Sequence, residues 1–183
     1  VLSTESWTLG KALENLSLGG VANLNGSGNG LDNRLLGNSG RNTLDGMGGN
    51  DHLDGGQGDD RYLFGRGGGS DTVRDVDATA GNHDALVFAA SIAVDQLWFR
   101  KVGKDLEISL IGTSDKVTVQ GWYYGVQHLI EEMQAGEGQR LASAQVQSLV
   151  TAMAALTPPP LGQTRLDSGQ HAALDGVIAA AWN

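Results

Sequence analysis

A nine-residue period in the glycine-rich part of the chain constrains its fold more than any other feature. Read from Gly28, the successive blocks are GNGLDNRLL, GNSGRNTLD, GMGGNDHLD and GGQGDDRYL. A fifth block, RGGGSDTVR from Arg66 to Arg74, follows a two-residue insertion, Phe64-Gly65. The sixth place holds Asn33, Asn42, Asp51, Asp60 and Asp71, and the eighth holds Leu35, Leu44, Leu53, Tyr62 and Val73. An oxygen-bearing side chain and an apolar one recur in step, which a flexible linker has no reason to maintain. Of 28 glycines, 17 fall between Gly19 and Gly69, while Pro numbers only 3, which excludes a collagen helix.

The block GGQGDDRYL fits the nonapeptide G-G-x-G-x-D-x-U-x in every place, and GMGGNDHLD departs from it only at Met47. The chain therefore resembles the RTX (repeats-in-toxin, hemolysin-type calcium-binding) family. The chemistry of the block agrees with that resemblance. Glycine tolerates positive φ and close backbone approach, so a six-residue turn can aim several carbonyls inward. Calcium is a hard cation that takes six to eight oxygens, which carbonyls and Asp carboxylates supply. Three residues of strand then follow, with the apolar eighth place facing inward.

The resemblance implies a mainly β chain: a right-handed parallel β-roll, a calcium-binding β-solenoid, in which two blocks make one circuit. Turns two blocks apart then stack and share an ion. In the family, the lower turn supplies its second and fourth carbonyls and its sixth side chain. The upper turn supplies its first and third carbonyls and its own sixth side chain. Carried over, one site pairs Asn33 with Gly46, Gly48 and Asp51. A second pairs Asn38, Gly40 and Asn42 with Gly55, Gln57 and Asp60. A third pairs Met47, Gly49 and Asp51 with Gly68 and Asp71, across the insertion. A fourth pairs Gly56, Gly58 and Asp60 with a carboxylate after the repeats: Asp75, Asp77 or Asp84. Asn33 and Asn42 lack the charge of Asp, and Leu31 replaces a turn glycine, so the first sites should be the weaker ones. The expectation is two to four Ca²⁺ ions, centred on Asp51, Asp60 and Asp71.

Upstream, Trp7-Thr8-Leu9, Leu16-Ser17-Leu18 and Val21-Ala22-Asn23-Leu24 read as short strands. The roll domain is read as residues 1–88, with its strands expected to start near Trp7 and the parent protein to continue upstream of Val1. Residues 89–141 read as an antiparallel β cap. Leu97 and Phe99, then Leu106, Ile108 and Leu110, then Val117 and Val119 alternate with polar residues, and the breaks fall at Gly103-Lys104-Asp105 and Gly112-Thr113-Ser114-Asp115. Another strand is expected within His128–Gln134, turning at Gly136-Glu137-Gly138. This stretch resembles the domain that follows RTX repeats in secreted exoproteins, and would cover the open edge of the roll. Trp98 and Trp122 read as buried packing residues, with a sugar-stacking platform as the alternative. In residues 142–183, Val146, Leu149, Val150 and Met153 have helical spacing between Ser143 and Pro158-Pro159-Pro160, and Leu174, Val177, Ile178 and Ala181 repeat it behind Ser168. These helices fit docking against the cap, and the resemblance adds an uncleaved C-terminal export signal for type I secretion.

Composition narrows the function classes. The formal charge is −9, with 15 Asp against 6 Glu, and there is no basic stripe for nucleic acid. No 18-residue apolar run suits a transmembrane segment, and with no Cys there is neither a disulfide nor a thiolate metal site. G-x-S-x-G, H-E-x-x-H and the P-loop are absent, Asp75-Val76-Asp77 lacks an EF-hand Glu at its twelfth place (Leu86), and His52, His83, His128 and His171 are scattered. His52, at a seventh place, should face solvent. The expected function is a non-catalytic calcium-binding module that folds outside a bacterial cell and supports type I secretion and stability of a larger exoprotein. Its partners would be calcium, the secretion machinery and an upstream domain. The alternative is a polysaccharide- or surface-binding module using Arg34, Arg41, Arg61 and Arg66.

Overall fold

The computed structural model describes residues 1–183. Ten short strands lead to Phe88: β1 (Leu2–Ser3), β2 (Trp7–Thr8), β3 (Asn15–Leu18), β4 (Asn25–Asn29), β5 (Arg34–Leu36), β6 (Thr43–Met47), β7 (His52–Asp54), β8 (Arg61–Phe64), β9 (Ser70–Arg74) and β10 (Ala85–Phe88). Odd-numbered strands form one sheet and even-numbered strands the other, each pairing in parallel with the strand two places on. This is a parallel β-roll, and its register follows the nine-residue period. The inward ladder of one sheet is Leu16, Leu35, Leu53 and Val73, and that of the other is Gly26, Leu44, Tyr62 and Leu86. The side chains of these ladders are buried. Gly26 fits because the Leu16 and Leu44 side chains already fill the space a Cβ would need, at 3.0 and 3.2 Å.

Two upstream expectations change. The roll begins at Leu2, not near Trp7. Val21–Leu24 forms no strand: Val21 is exposed, Gly20 turns the chain at φ +80°, and the strand forms at Asn25–Asn29 instead.

The rest of the chain comprises β11 (Leu97–Val102), β12 (Asp105–Leu110), β13 (Lys116–Val119), β14 (Glu132–Ala135), β15 (Gln139–Ala142), α1 (Ser143–Ala154) and α2 (Ser168–Ala181). β11, β12 and β13 form the expected antiparallel meander, and β14 and β15 an antiparallel hairpin. The cap is nevertheless not purely antiparallel. β13 pairs in parallel with β9, and β14 in parallel with β10, so each sheet gains one more rung before it reverses. Val119 and Met133 continue the two inward ladders. Parallel docking satisfies the outer backbone groups of the last repeat strands, which an unpaired edge would leave open.

α1 buries Val146, Leu149, Val150 and Met153 against the β11 side of the sheet, and α2 packs on α1. The Ser143 N–H, at the start of α1, donates to Glu131 O at 2.9 Å. α2 is capped by Asp167 with Gln170 in a reciprocal box, one residue before the expected Ser168. Trp98 and Trp122 are both buried. Leu44 lies between Gly26 and Tyr62 in the roll interior, with no neighbour able to fill its place. Leu44→Ala should therefore cost about 2–5 kcal/mol in denaturant unfolding of the calcium-loaded protein, whereas Leu31→Ala, on the exposed side of a turn, should cost under about 1 kcal/mol.

Candidate metal centre

The turn residues preceding each strand stack in two columns. In one, the backbone N–H of Asn33 donates to Asp51 Oδ1 at 2.7 Å, and that of Asp51 donates to Asp71 Oδ1 at 2.9 Å. In the other, Asn42 N–H donates to Asp60 Oδ1 and Asp60 N–H to Asp84 Oδ1, both at 2.7 Å. Asp84 N–H in turn donates to Glu131 Oε2 at 2.8 Å. Strand register explains the continuation, because Arg61, Ala85 and Glu132 are paired neighbours and each follows an acidic residue. Asp84 thus holds a sixth place despite the longer loop before it. Glu131 escapes the nonapeptide pattern because 47 residues separate it from Asp84. Its signal is an acid immediately before a strand. The insertion at Phe64-Gly65 does not break the other column, since Asp71 stands over Asp51 and Gly69 over Gly49. Asp115 closes that column, its carboxylate accepting the N–H groups of Gly67 and Gly69 at 2.9 and 3.2 Å.

The turns are of two kinds. In the three with Asp at the sixth place, the second and fourth residues are left-handed: Met47 and Gly49, Gly56 and Gly58, Gly67 and Gly69. In the two Asn turns, neither Asn29 and Leu31 nor Asn38 and Gly40 have positive φ. The left-handed glycines let each turn sit on carbonyls of the turn below. A Cβ at Gly58 would lie 2.7 Å from Gly40 O, one at Gly56 would lie 2.8 Å from Asn38 O, and one at Gly49 would collide with Leu31 O. First-place carbonyls press the other way, Gly55 O against Gly37 and Gly46 O against Gly28. Carbonyls thus enter each gap from both sides, beside the carboxylates. Gly67 O, not that of Gly68, is the carbonyl against Gly48.

In the Asn turns, side-chain amides fill the gap below. Asn29 Nδ2 donates to Gly10 O and Leu13 O at 2.8 and 2.7 Å. Asn38 Nδ2 donates to Gly19 O and Ala22 O at 3.2 and 3.1 Å, and Asn42 Nδ2 to Leu24 O at 3.0 Å. Neutral donors there satisfy carbonyls that would otherwise need a cation. The two ends of the roll are therefore held together by different chemistry.

At the acidic end, Asp51, Asp60, Asp71, Asp75 and Asp84 are all buried, and none takes part in a salt bridge. Asp51 Oδ2 and Asp60 Oδ2 are buried with no hydrogen-bond partner. The carboxylates of Asp60, Asp75 and Asp84 place one oxygen each within 4.8 Å of the others. Ionised together at an effective dielectric of about 20, each pair repels by about 3.5 kcal/mol, which over three pairs rivals the whole stability of a small domain. Burial pushes the Asp51 carboxyl up to about 6, Asp71 to about 7 and Asp60 to about 8, and it raises Asp75 and Asp84 as well. Asp77 differs. Burial raises it, but hydrogen bonds from Thr79 and Gly58 together outweigh that and hold it low, and it lies outside the three-carboxylate group. Orphaned buried oxygens, converging carbonyls and absent counter-charges suit a hard divalent cation of calcium's kind.

His52 is half-buried rather than on open surface, with its basicity lowered by burial and by Arg34. Arg34 and His52 lie on one sheet and Arg61 on the other, while Arg41 is paired with Asp59 at 3.0 Å. Arg41 and Arg61 line one pocket with His83 and Arg140, in which Asp59 and Glu132 also stand.

A parallel β-roll with acidic turns stacked in this way defines a calcium-binding repeat module. Comparison with known proteins specifies the class: residues 27–62 match the RTX calcium-binding nonapeptide repeat in four copies, and residues 105–134 match the haemolysin-type calcium binding protein related domain. The chain carries RTX repeats of the hemolysin-type calcium-binding family. It is similar to the iron-regulated protein FrpA of Neisseria meningitidis serogroup C, with 38% identity over 92 residues, 49% of this chain and 8% of that protein.

Two outcomes follow from the geometry. Gly58→Ala places a Cβ on a left-handed residue against Gly40 O, and should lower calcium-loaded stability by at least about 1–2 kcal/mol in urea titration. Without calcium, the folded state keeps protons on its raised carboxyls that the unfolded chain, with carboxyls near 3.8, has already released. Apo stability is then greatest below about pH 4 and falls as pH rises through about 6–8. Far-UV circular dichroism in calcium-depleted buffer should show more β structure at pH 5 than at pH 8, and millimolar calcium should restore it at pH 8.

Proposed function

We propose that this module is a calcium-triggered folding unit of a larger secreted bacterial protein, unfolded during export by a type I machinery and folded outside the cell. The observation that carries this reading is the pair of buried, unpartnered carboxylate oxygens on Asp51 and Asp60. Without a cation, the stacked turns bring ionised carboxylates together and order glycine-rich backbone at high entropic cost. In a low-calcium compartment the unfolded chain is favoured, which suits passage through a narrow channel. Extracellular calcium, acting through sites with dissociation constants of about 10⁻⁴–10⁻³ M, then converts binding free energy into folding free energy.

Each ion is held by Asp51 with Asp71, by Asp60 with Asp84, or by one of these carboxylates with Asn33 or Asn42, together with turn carbonyls. The module is not itself catalytic, and any activity of the parent belongs to segments outside these 183 residues, a reading supported by the 8% share of FrpA that the match spans. The cap completes the last rungs through Asp115 and Glu131, and α1 and α2 combine packing against it with an export signal. No helix is long and apolar enough to cross a membrane.

Far-UV circular dichroism during a calcium titration tests the proposal. A cooperative, calcium-specific gain of β structure is expected, with little response to equal magnesium. In the double variant Asp51→Asn/Asp71→Asn the midpoint should move up at least about tenfold. A full β signal in chelator at pH 7.5 would contradict the proposal.

A further inference from the structure

The outer face of the even-numbered sheet carries one groove with two chemically distinct halves. Tyr62, Leu86 and Met133 point into the roll, so the residues beside them on each strand point out. One outward row across the strands is Thr43, Arg61, Ala85 and Glu132, and the next is Asp45, Leu63, Val87 and Gln134. Around Leu63 and Val87, both only half-buried, the face opens into an apolar hollow of about 520 Å³. Met47 also lines it, as do Phe64 and Phe88, packed edge to face at 6.2 Å. Around Arg61 and Ala85 lies a polar hollow of about 310 Å³. Gln134 lines both, so the two run together along the strand direction.

Met47 is held in the left-handed region at φ +71°, alone among the residues other than glycine. The same place in the two other acidic turns is glycine, Gly56 and Gly67. A side chain there strains the backbone, and Met47 gains no buried packing in return, since it is 52% exposed. The strained turn instead sets the thioether chain at the apolar hollow, and Asp45 Oδ1 fixes it by accepting the Met47 N–H at 3.0 Å. Methionine is the adaptable side chain of apolar binding surfaces. The charges around the groove give a ligand its direction. Arg41 is paired with Asp59 and Arg140 with Glu132, which leaves the Arg61 guanidinium on the neutral Gln134 amide, at 3.2 Å. Asp45 repels an anion at the apolar end, and Arg61 attracts one at the other.

We propose that this groove binds a free medium-chain fatty acid, its alkyl chain along Leu63, Val87 and Met47 and its carboxylate on Arg61. From Arg61 to Gly65, which both line the groove, the extended strand covers about 13 Å, a track that an alkyl chain of medium length can follow. Burial of the chain supplies affinity at one end, and a charge-assisted hydrogen bond fixes the head at the other. A ligand with a cationic head would meet Arg61, and one with no tail would leave the hollow unfilled. The side chains of Arg61, Leu63 and Val87 take no part in the stacked turns, so this is a second binding site of different chemistry from the carboxylate columns.

The test uses the full 183-residue chain in millimolar calcium, with folding verified by far-UV circular dichroism and octanoate titrated by calorimetry. One octanoate should bind per chain, at least about tenfold more tightly than octanol or octylammonium, and acetate should not compete. Arg61→Gln should bring octanoate down to the level of octanol. Met47→Gly should weaken octanoate about tenfold without lowering the urea midpoint, because the strain is relieved and the turn carbonyl is kept. A merely structural role for Met47 would lower the midpoint together with any binding. Unchanged octanoate affinity in either variant, or no octanoate binding to the folded wild type, would overturn the inference. Sedimentation of the wild type as a dimer that Met47→Gly renders monomeric would also overturn it, by giving the face to a second copy of the chain.

Discussion

The hydrogen bond from each turn's backbone to the carboxylate stacked above it is the interaction on which the rest of the roll depends. It sets the spacing of the columns, fixes the register of both sheets and buries carboxylates that have no cationic side chain to answer them. Packing alone cannot compensate for that burial. A buried leucine contributes about 1.5–3 kcal/mol, whereas each ionised pair within the Asp60, Asp75 and Asp84 group costs more than that, about 3.5 kcal/mol. The ladder Leu35, Leu53 and Val73 and its counterpart Leu44, Tyr62 and Leu86 therefore make the roll possible without making it stable at neutral pH. A cation between the turns changes that balance, and stability and binding then become one quantity.

This arrangement also accounts for the division of labour along the chain. At the N-terminal end, Asn29, Asn38 and Asn42 use neutral amides to satisfy the carbonyls below them. Toward the cap, Asp replaces Asn, left-handed glycines appear at the fourth place, and the gaps become anionic. The cap then continues the roll instead of merely covering it. β13 and β14 add a rung to each sheet, while Asp115 and Glu131 place carboxylates on the last free N–H groups.

The repeat region is legible in the sequence because its period is short and its constraints are local. Five in-phase blocks suffice to place the inward ladder, the sixth-place oxygens and the pairing of Asp51 with Asp71 across an insertion. What escapes the sequence depends on contacts over long separations. Glu131 joins the column only because β14 pairs with β10, and Asp75 enters the acidic group only because Arg74 pairs with Asp54. Parallel docking of β13 onto β9 is likewise invisible, since an alternating segment looks the same in either direction. The strand expected at Val21–Leu24 failed for a local reason, because its apolar residues precede a strand whose inward places are Gly26 and Gly28.

The central claim is that a cation must sit among the stacked carboxylates for the columns to form at neutral pH. Residue-resolved hydrogen exchange tests it most directly, through the backbone N–H groups of Asn33, Asn42, Asp51 and Asp60 that donate to the carboxylates above. With calcium these four amides should be strongly protected, and in chelator at the same pH they should exchange at rates near those of an unfolded chain. Equal protection in both conditions would contradict the account.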